Sequence, residues 1–254
     1  MLKKTQYQTA LITGATSGIG AAFANALASR HYDLIITGRR EDKIKALAQK
    51  LQSEYNINVE VIIIELTDDN DLALLIQKIK AHKNLNMLIN NAGFGSRDHF
   101  HDGDIAFWEN MLKVHTGVVM KLTHAALPNM LANKSGGIIN VSSILAFFPY
   151  RQHVMYTATK AFINMFTKTI AKEIQNTGVR VQALCPGLTV TDFHTQMGMD
   201  AKNAYRSRAL IKPMPPDIVV AKSLKHLAKN KTICIPGFFN KLIVTLAVLM
   251  RFKG

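Results

Sequence analysis

The sequence predicts an α/β fold in which a parallel sheet carries helices on both of its faces. Seven short runs rich in β-branched residues recur along the chain, at residues 9–13, 33–38, 58–66, 86–90, 136–143, 178–185 and 231–236. Each run is apolar nearly throughout, which is typical of strands that are covered on both faces. Helical patterns separate the runs, for example at residues 18–30, 41–55, 69–82, 104–132 and 154–177. This alternation indicates right-handed crossovers and hence a parallel sheet.

Length and composition favour one globular domain. The chain has 254 residues, of which 48% are hydrophobic and 19% are charged, and this suits a single domain over residues 1–254. Two distant cysteines, Cys185 and Cys234, exclude a disulfide scaffold and a zinc site of paired cysteines, so we expect no metal. No run approaches the ~18–20 apolar residues of a spanning helix. The first residues also lack the apolar stretch of a secretory signal, so we expect a cytoplasmic protein.

The charge of the chain is concentrated near its C terminus. The formal net charge is +14, and residues 201–254 hold eleven lysines and arginines but one acid, Asp217. A fold that is basic throughout would suggest nucleic acid as a partner. Here the distribution indicates a local basic surface instead, or simply a solvated lysine-rich face, and we expect no nucleic acid binding.

A glycine-rich loop predicts a dinucleotide site. In TGATSGIG, Gly14, Gly18 and Gly20 lie between the first strand and the first helix. Glycines at this spacing allow a tight turn, the approach of a pyrophosphate and close packing of the helix on the strand. The phosphates then lie on the free N–H groups of a helix N terminus. The alternative is a plain glycine-rich turn.

Two arginines follow the second strand and predict NADP(H) as the cofactor. An NAD-binding unit usually has a carboxylate at this position, where Arg39 and Arg40 stand. A guanidinium binds a 2′-phosphate that a carboxylate would repel. In the alternative interpretation these arginines pair with Glu41 and Asp42 at a solvated helix start.

A tyrosine and a lysine four residues apart predict acid–base chemistry. Tyr156 and Lys160 lie on one face of the helix predicted at 154–177. We expect the ammonium to favour the phenolate and to lower the tyrosine pKa toward a useful range. Ser142 and Ser143, which end the fifth predicted strand, are placed to bond a carbonyl oxygen. Alone, this spacing is common on exposed helices.

Together these motifs resemble the short-chain dehydrogenase/reductase family over about residues 8–240. The matching segments are TGATSGIG (13–20), NNAG (90–93), Ser143 with YTATK (156–160), and CPGLTVT (185–191). The resemblance implies a doubly wound Rossmann-type sheet of seven strands and hydride transfer between a nicotinamide cofactor and a carbonyl or alcohol. It implies Tyr156 as the acid/base, Lys160 as its partner on the ribose, and Ser143 as the donor to the substrate oxygen.

The same resemblance implies a full set of cofactor contacts. They are Gly14, Thr16, Ser17, Gly18, Ile19, Gly20, Arg39, Arg40, Glu65, Leu66, Asn91, Ala92, Gly93, Tyr156, Lys160, Pro186, Gly187, Thr189 and Thr191. Asn90 matches a residue that stabilises the central sheet.

One position departs from the family pattern. His115 stands where the family usually has an asparagine that holds a water in the proton relay. Imidazole holds water and titrates near neutrality, so we expect His115 to take part in catalysis through this relay. The alternative is a packed core histidine.

The segments around the tyrosine predict a bulky, apolar substrate, either a ketone or an acyl chain. They contribute Phe94, Phe147, Phe148, Pro149, Met155, Leu188, Phe193, Met197 and Met199, and also Arg97 and Arg151. Such a wall adapts to varied hydrophobic ligands, although half of these residues would serve equally as core. A substrate loop is expected at about 188–215. The alternative function is an NADP(H)-binding scaffold or sensor with weak turnover.

Two surfaces remain for partners. The resemblance implies a homodimer or homotetramer, because helices 104–132 and 154–177 match those that pair between subunits. The C-terminal segment 238–254 holds an apolar stretch, Leu242 to Met250, flanked by Lys241, Arg251 and Lys253. It either packs on the protein or lies as an interfacial helix on an anionic membrane.

Overall fold

A computed structural model describes residues 8–192 and 213–250. Within these ranges the strands are β1 (Thr9–Ile12), β2 (Asp33–Gly38), β3 (Val59–Ile63), β4 (Leu85–Asn90), β5 (Gly136–Val141), β6 (Val179–Leu184) and β7 (Ile233–Cys234). The helices are α1 (Gly18–Ala28), α2 (Glu41–Tyr55), α3 (Asp69–Ala81), α4 (Ile105–Leu112), α5 (Val119–Ala132), α6 (Val154–Glu173), α7 (Pro216–Ala228) and α8 (Phe238–Met250). A π-helical stretch, Lys113–Val118, joins α4 to α5, and a short 3-10 helix, Ile144–Phe147, precedes α6.

The seven strands form one parallel sheet, as the sequence predicts. Its order is β3-β2-β1-β4-β5-β6-β7, and every pairing is parallel. The chain builds outward from β1 in one direction and then from β4 in the other. The order therefore reverses between β1 and β4, and ligands bind at the carboxyl ends of the strands beside such a reversal.

Helices cover both faces of this sheet. Successive side chains of a strand point to opposite faces, and the central strand β1 illustrates this arrangement. Ala10 and Ile12 pack into one core with α1, α2 and α7. Leu11 packs into the other core with α3, α5 and the end of α6. The doubly wound Rossmann-type architecture is confirmed.

The predicted boundaries were wrong where strands lie at the sheet edges or a helix changes its winding. The run at 58–66 forms β3 over Val59–Ile63 only, and Ile63 is 41% exposed because this strand is an edge with one neighbour. The run at 231–236 shrinks to Ile233–Cys234. The helix expected over 104–132 is divided by the π-helical stretch. Among the described residues, no helix has both the length and the apolar character needed to cross a membrane.

Candidate active site

A cleft of about 1490 Å³ lies at the carboxyl ends of the central strands. It brings together most of the predicted site residues, namely Gly14, Thr16, Ser17, Gly18, Ile19, Arg39, Arg40, Glu65, Leu66, Asn91, Ala92, Gly93, Ser143, Tyr156, Lys160, Pro186, Gly187, Thr189 and Thr191. Gly20 and His115 do not line it. One site therefore contains both the glycine loop and the Tyr–Lys pair, which are more than 130 residues apart in sequence.

The glycine loop has the backbone that a phosphate cradle needs. Gly14 and Gly18 have φ values of +67° and +56°, in the left-handed region that favours glycine. A Cβ on Gly20 would lie 2.3 Å from the carbonyl oxygen of Gly14, so only glycine lets α1 approach the loop. Ser17 precedes α1 in an extended conformation and gives no side-chain cap. The first N–H groups of the helix are thus left for a ligand or solvent.

Asn91 and Thr13 fasten this loop to the end of β4. The Asn91 side-chain amide donates to the carbonyls of Thr13 and Gly14, at 2.9 and 3.0 Å. In return, the Thr13 hydroxyl accepts from the backbone N–H groups of Asn91 and Ala92, each at 3.0 Å. Sequence reasoning missed Thr13, whose part depends on the neighbouring strand.

Arg40 is the better-oriented of the two arginines. Its Nη2 donates to Thr16 Oγ1 and Ser17 Oγ, both at 2.7 Å, and its Nη1 lies 3.5 Å from a carboxylate oxygen of Asp192. The guanidinium is therefore held directly beside the glycine loop.

Arg39 turns instead toward the end of β3. Its Nη1 donates to Glu65 Oε2 at 3.0 Å. Burial raises the pKa of Glu65, but hydrogen bonds from Thr67 and Arg39 outweigh it and hold that pKa below its ordinary value. The expected alternative pairing with Glu41 is not found among the described residues, where Glu41 pairs with Lys45.

Ser143 and Tyr156 form the centre of the deeper half of the cleft. Burial raises the pKa of Tyr156 to about 12, and a hydrogen bond with Ser143 partly opposes this. The lowering that the Tyr–Lys spacing predicts was therefore wrong in its net direction, because desolvation of the phenolate dominates. The phenol is thus protonated at neutral pH. The hydroxyl of the neighbouring Ser142 donates instead to the Lys160 backbone carbonyl at 3.0 Å. Ser143, and not Ser142, is therefore the serine that contacts Tyr156.

Lys160 is a buried cation with one backbone partner. Its Nζ donates to the Val141 carbonyl at 2.9 Å and lies 5.5 Å from the centroid of the Tyr156 ring. Burial lowers the pKa of Lys160 to about 8. Its charge is therefore lost within the range of pH in which enzymes are commonly assayed.

His115 lies in the π-helical stretch and both of its ring nitrogens are engaged. Nε2 accepts from the Phe94 backbone N–H at 3.1 Å, so Nδ1 carries the proton and meets Thr159 Oγ1 at 3.1 Å. The Thr159 hydroxyl in turn donates to the Tyr156 carbonyl at 3.0 Å. Burial, together with the charge of Lys160, holds the pKa of His115 well below its ordinary value. The expectation that it titrates near neutrality was wrong for this reason.

The outer end of the cleft mixes apolar and cationic side chains. Of the predicted substrate wall, Phe94 and Leu188 line the cleft, together with Arg97 and Arg151. Phe148 and Pro149 line a separate groove against α8. Phe147 and Met155 line neither, and Phe193, Met197 and Met199 lie outside the described residues, as does most of the expected substrate loop. Sequence reasoning missed Phe107 and His153, which also line the cleft.

Comparisons with known proteins identify the family of the chain. Residues 8–202 match the family model of the short chain dehydrogenases. Sulfoacetaldehyde reductase 2 of Chromohalobacter salexigens is 34% identical over 186 residues, which are 72% of this chain and 73% of that protein.

Two solved structures extend the similarity to nearly the whole chain. A short-chain dehydrogenase from Sphingobium yanoikuyae in complex with NADPH is 29% identical, with a TM-score of 0.85 over 96% of this chain and 95% of that one. The bulky-bulky ketone specific alcohol dehydrogenase from Comamonas testosteroni is 28% identical, with a TM-score of 0.81 over 97% and 95%. With this fold and this cleft, the chain belongs to the short-chain dehydrogenase/reductase family and is an oxidoreductase.

Proposed function

We propose that the protein transfers a hydride between NADP(H) and a carbonyl or alcohol substrate that is bulky and apolar. The observation that carries this proposal is the single cleft in which Arg40 and the glycine loop stand at one end and Ser143, Tyr156 and Lys160 at the other. An extended NADP(H) in this cleft would have its 2′-phosphate held by Arg40, its pyrophosphate by the glycine loop, and its nicotinamide beside Ser143, Tyr156 and Lys160.

The residues at the deeper end divide the chemistry. The nicotinamide supplies or accepts the hydride when the cofactor is bound. In reduction, the Tyr156 hydroxyl, which is protonated at neutral pH, donates its proton to the carbonyl oxygen that becomes the alcohol. Ser143 stabilises the same oxygen by a hydrogen bond. Lys160 brings a positive charge beside the ring of Tyr156 and is the proposed ligand of the cofactor ribose.

The preference for NADP(H) rests on Arg40. Thr16 and Ser17 already orient its guanidinium, so little side-chain freedom remains to be lost when a 2′-phosphate binds. Arg39 is occupied by Glu65 and is the weaker candidate. The NADPH complex of the structurally similar dehydrogenase from Sphingobium yanoikuyae supports this choice.

The substrate proposal rests on the apolar side chains at the outer end of the cleft, among them Phe94, Phe107 and Leu188. The similar alcohol dehydrogenase from Comamonas testosteroni is specific for bulky-bulky ketones, which supports it. A second candidate is a small anionic aldehyde, because Arg97 and Arg151 line the same region and a relative reduces sulfoacetaldehyde.

A panel of carbonyl compounds tests both candidates. NADPH consumption is followed by absorbance with steroid ketones, aryl ketones, acyl thioesters and sulfonated aldehydes. We expect the bulky apolar ketones to give the highest kcat/KM, and Tyr156→Phe to remove turnover while NADPH fluorescence still reports binding. Binding of NADPH without turnover of any carbonyl would favour the scaffold or sensor instead. Turnover of the sulfonated aldehydes alone would favour the anionic substrate.

We further propose a homodimer or homotetramer assembled through α4, α5 and α6. Exposed apolar side chains along these helices support it, among them Ile105, Leu112, Met120, Phe162 and Met165. Such a patch meets its own copy in a symmetric dimer. Sedimentation at micromolar concentration tests the assembly, and a monomer there would contradict it.

We also propose that the protein works in a reducing, cytoplasmic compartment. Both cysteines are free and buried, which supports this proposal.

A further inference from the structure

We infer that helix α8, together with the lysines beside it, is a docking surface for an anionic lipid bilayer. The surface consists of the exposed apolar side of α8 (Phe238–Met250) and of the cations Lys225, Lys229, Lys231 and Lys241. It brings the reductase to the membrane interface without inserting a spanning helix.

Helix α8 has one side packed on the protein and another exposed. Asn240 and Val244 are buried, and the Asn240 amide donates to the Pro236 carbonyl at 2.7 Å, which anchors the start of the helix. Of the two alternatives for this segment, packing on the protein therefore accounts for only one side of the helix.

The exposed side is a continuous apolar strip. At about 100° of rotation per residue, it covers an arc of about 120° and contains Phe238, Phe239, Leu242, Leu246, Leu249 and Met250. The exposed fraction reaches 76% at Phe238 and 67% at Met250. A strip of this width on an exposed helix is the pattern of helices that lie in a membrane interface.

The charge around the strip has one sign. Residues 218–254 contain seven lysines and arginines and no aspartate or glutamate. The lysines gather in space as well as in sequence. The pKa of His226 is lowered by partial burial and by the charges of Lys241, Lys229, Lys231 and Lys225, which come from α7, the turn after it and α8. An anionic surface complements this cluster, and each cation near such a surface adds to binding.

The same charge argues against a second copy of the chain as the occupant. A symmetric dimer places each patch against its own copy, so it would bring two copies of this lysine cluster into one interface. Like charges in an interface oppose association. The exposed apolar side chains of α4 and α6 carry the assembly that we propose above, so α8 is not needed for it.

The location of α8 connects the surface to the proposed reaction. A groove of about 530 Å³ runs between α8 and the segment after Ser143, lined by Phe148, Pro149, Ile243, Leu246, Ala247 and Met250. Its polypeptide wall continues directly into the 3-10 helix Ile144–Phe147 beside Ser143. Because Ile144 and Leu145 of that helix line the cleft, an apolar substrate taken from lipid would arrive beside the segment that borders the proposed active site. This last step rests on the proposed function, whereas the docking itself does not.

Co-sedimentation with vesicles tests the surface. The protein is mixed with vesicles of phosphatidylcholine alone or with added phosphatidylglycerol, at low and high salt. Lys225→Gln/Lys229→Gln/Lys241→Gln removes three cations of the cluster, and Lys50→Gln/Lys80→Gln/Lys83→Gln removes three exposed cations elsewhere. We expect the first variant to bind anionic vesicles about 100-fold more weakly, and the second to bind within about threefold of the wild type.

The apolar strip is tested by Phe238→Gln/Leu242→Gln/Leu249→Gln, with the exposed Leu74→Gln on α3 as control. We expect the triple variant to lose vesicle binding and to keep its NADPH affinity and its turnover of a water-soluble ketone. Binding to neither vesicle type by the wild type would overturn the docking surface and leave the reductase proposal intact. Vesicle binding without turnover of any carbonyl would support the docking surface and contradict the reductase proposal. A change in sedimentation of the triple variant, with vesicle binding unchanged, would assign α8 to a protein interface instead.

Discussion

The pH dependence of stability offers a direct test of the buried charge at Lys160. Burial lowers the pKa of this group from 10.5 to about 8. In the unfolded chain the lysine keeps its ordinary pKa, so between about pH 8 and pH 10.5 the unfolded state binds the additional proton. Stability rises with pH wherever the unfolded state binds more protons. The cost of burying the ammonium is therefore complete below about pH 8 and is relieved as the pH approaches 10.5.

The magnitude follows from the same two values. The interval from about 8 to 10.5, at about 1.4 kcal/mol for each unit of pKa, corresponds to about 3.5 kcal/mol in total, of which about 3 kcal/mol falls between the two pKa values because the lysine is only half titrated at each of them. The Lys160→Met variant has a side chain of similar length and no proton to release. We expect the free energy of unfolding of the wild type, minus that of this variant, to increase by about 3 kcal/mol across the interval.

The difference between the two proteins isolates the lysine. Cys185 and Tyr156, whose pKa values burial raises to about 12, also titrate at alkaline pH, but they are present in both proteins. Urea unfolding followed by the fluorescence of the single tryptophan, the buried Trp108, gives the free energies. The control is Lys168→Met, which replaces an exposed lysine on the same helix. Its free energy of unfolding, plotted against pH, should run parallel to that of the wild type. A parallel curve for Lys160→Met as well would refute the argument that Lys160 is a desolvated cation.

Three further outcomes concern the cleft. Arg40→Ala should weaken the affinity for NADPH by about 10- to 100-fold, because a hydrogen bond to a charged group contributes about 1.5–3 kcal/mol. The affinity for NADH should stay unchanged. Equal losses of affinity for both cofactors would refute the 2′-phosphate site. Tyr156→Phe should lower kcat by at least about 10²-fold with NADPH affinity unchanged, as measured by fluorescence titration; a fully active variant would remove the proposed mechanism. Because the pKa of His115 is held well below its ordinary value, His115→Asn should leave the shape of the kcat profile unchanged between about pH 6 and pH 8. His115→Leu should lower kcat because the Phe94 N–H loses its acceptor and Thr159 Oγ1 loses one of its two partners. A His115→Leu enzyme with wild-type kcat would show that the ring serves only in packing.

The arrangement of the sheet was accessible from the sequence because it depends on patterns that are local. Runs of β-branched residues and the glycines at 14, 18 and 20 fix where strands and the first turn occur. The length of β3 was overestimated because the apolar run continues beyond Ile63 through Ile64 and Leu66, which are buried outside the strand. Composition records which residues are apolar, whereas the burial of a strand depends on its place in the sheet.

The sequence predicted which residues line the cofactor half of the cleft, but not which of the two arginines is oriented toward the glycine loop. Arg39 and Arg40 are adjacent and chemically identical, so the sequence gives no reason to rank them. The ranking comes from tertiary neighbours: Glu65 at the end of β3 engages Arg39, and Thr16 and Ser17 of the glycine loop engage Arg40. A pattern of residue types therefore located the candidate subsite, and the tertiary contacts favour Arg40 over Arg39 as the proposed ligand of the 2′-phosphate.

The electrostatics of the catalytic half could not be obtained from spacing at all. Two residues on one helix face suggest a phenolate stabilised by an ammonium, an inference that treats both groups as if they were in water. In the structure Lys160 is buried and Tyr156 is partly buried. Desolvation favours the neutral form of each group, so it raises the pKa of the phenol and lowers the pKa of the amine. The resulting pair is a protonated phenol beside a lysine whose pKa lies near 8, and the protonated phenol is the form that the proposed reduction uses as its proton donor. The helix periodicity identified the partners, but the depth of the cleft determines which of their protons is available.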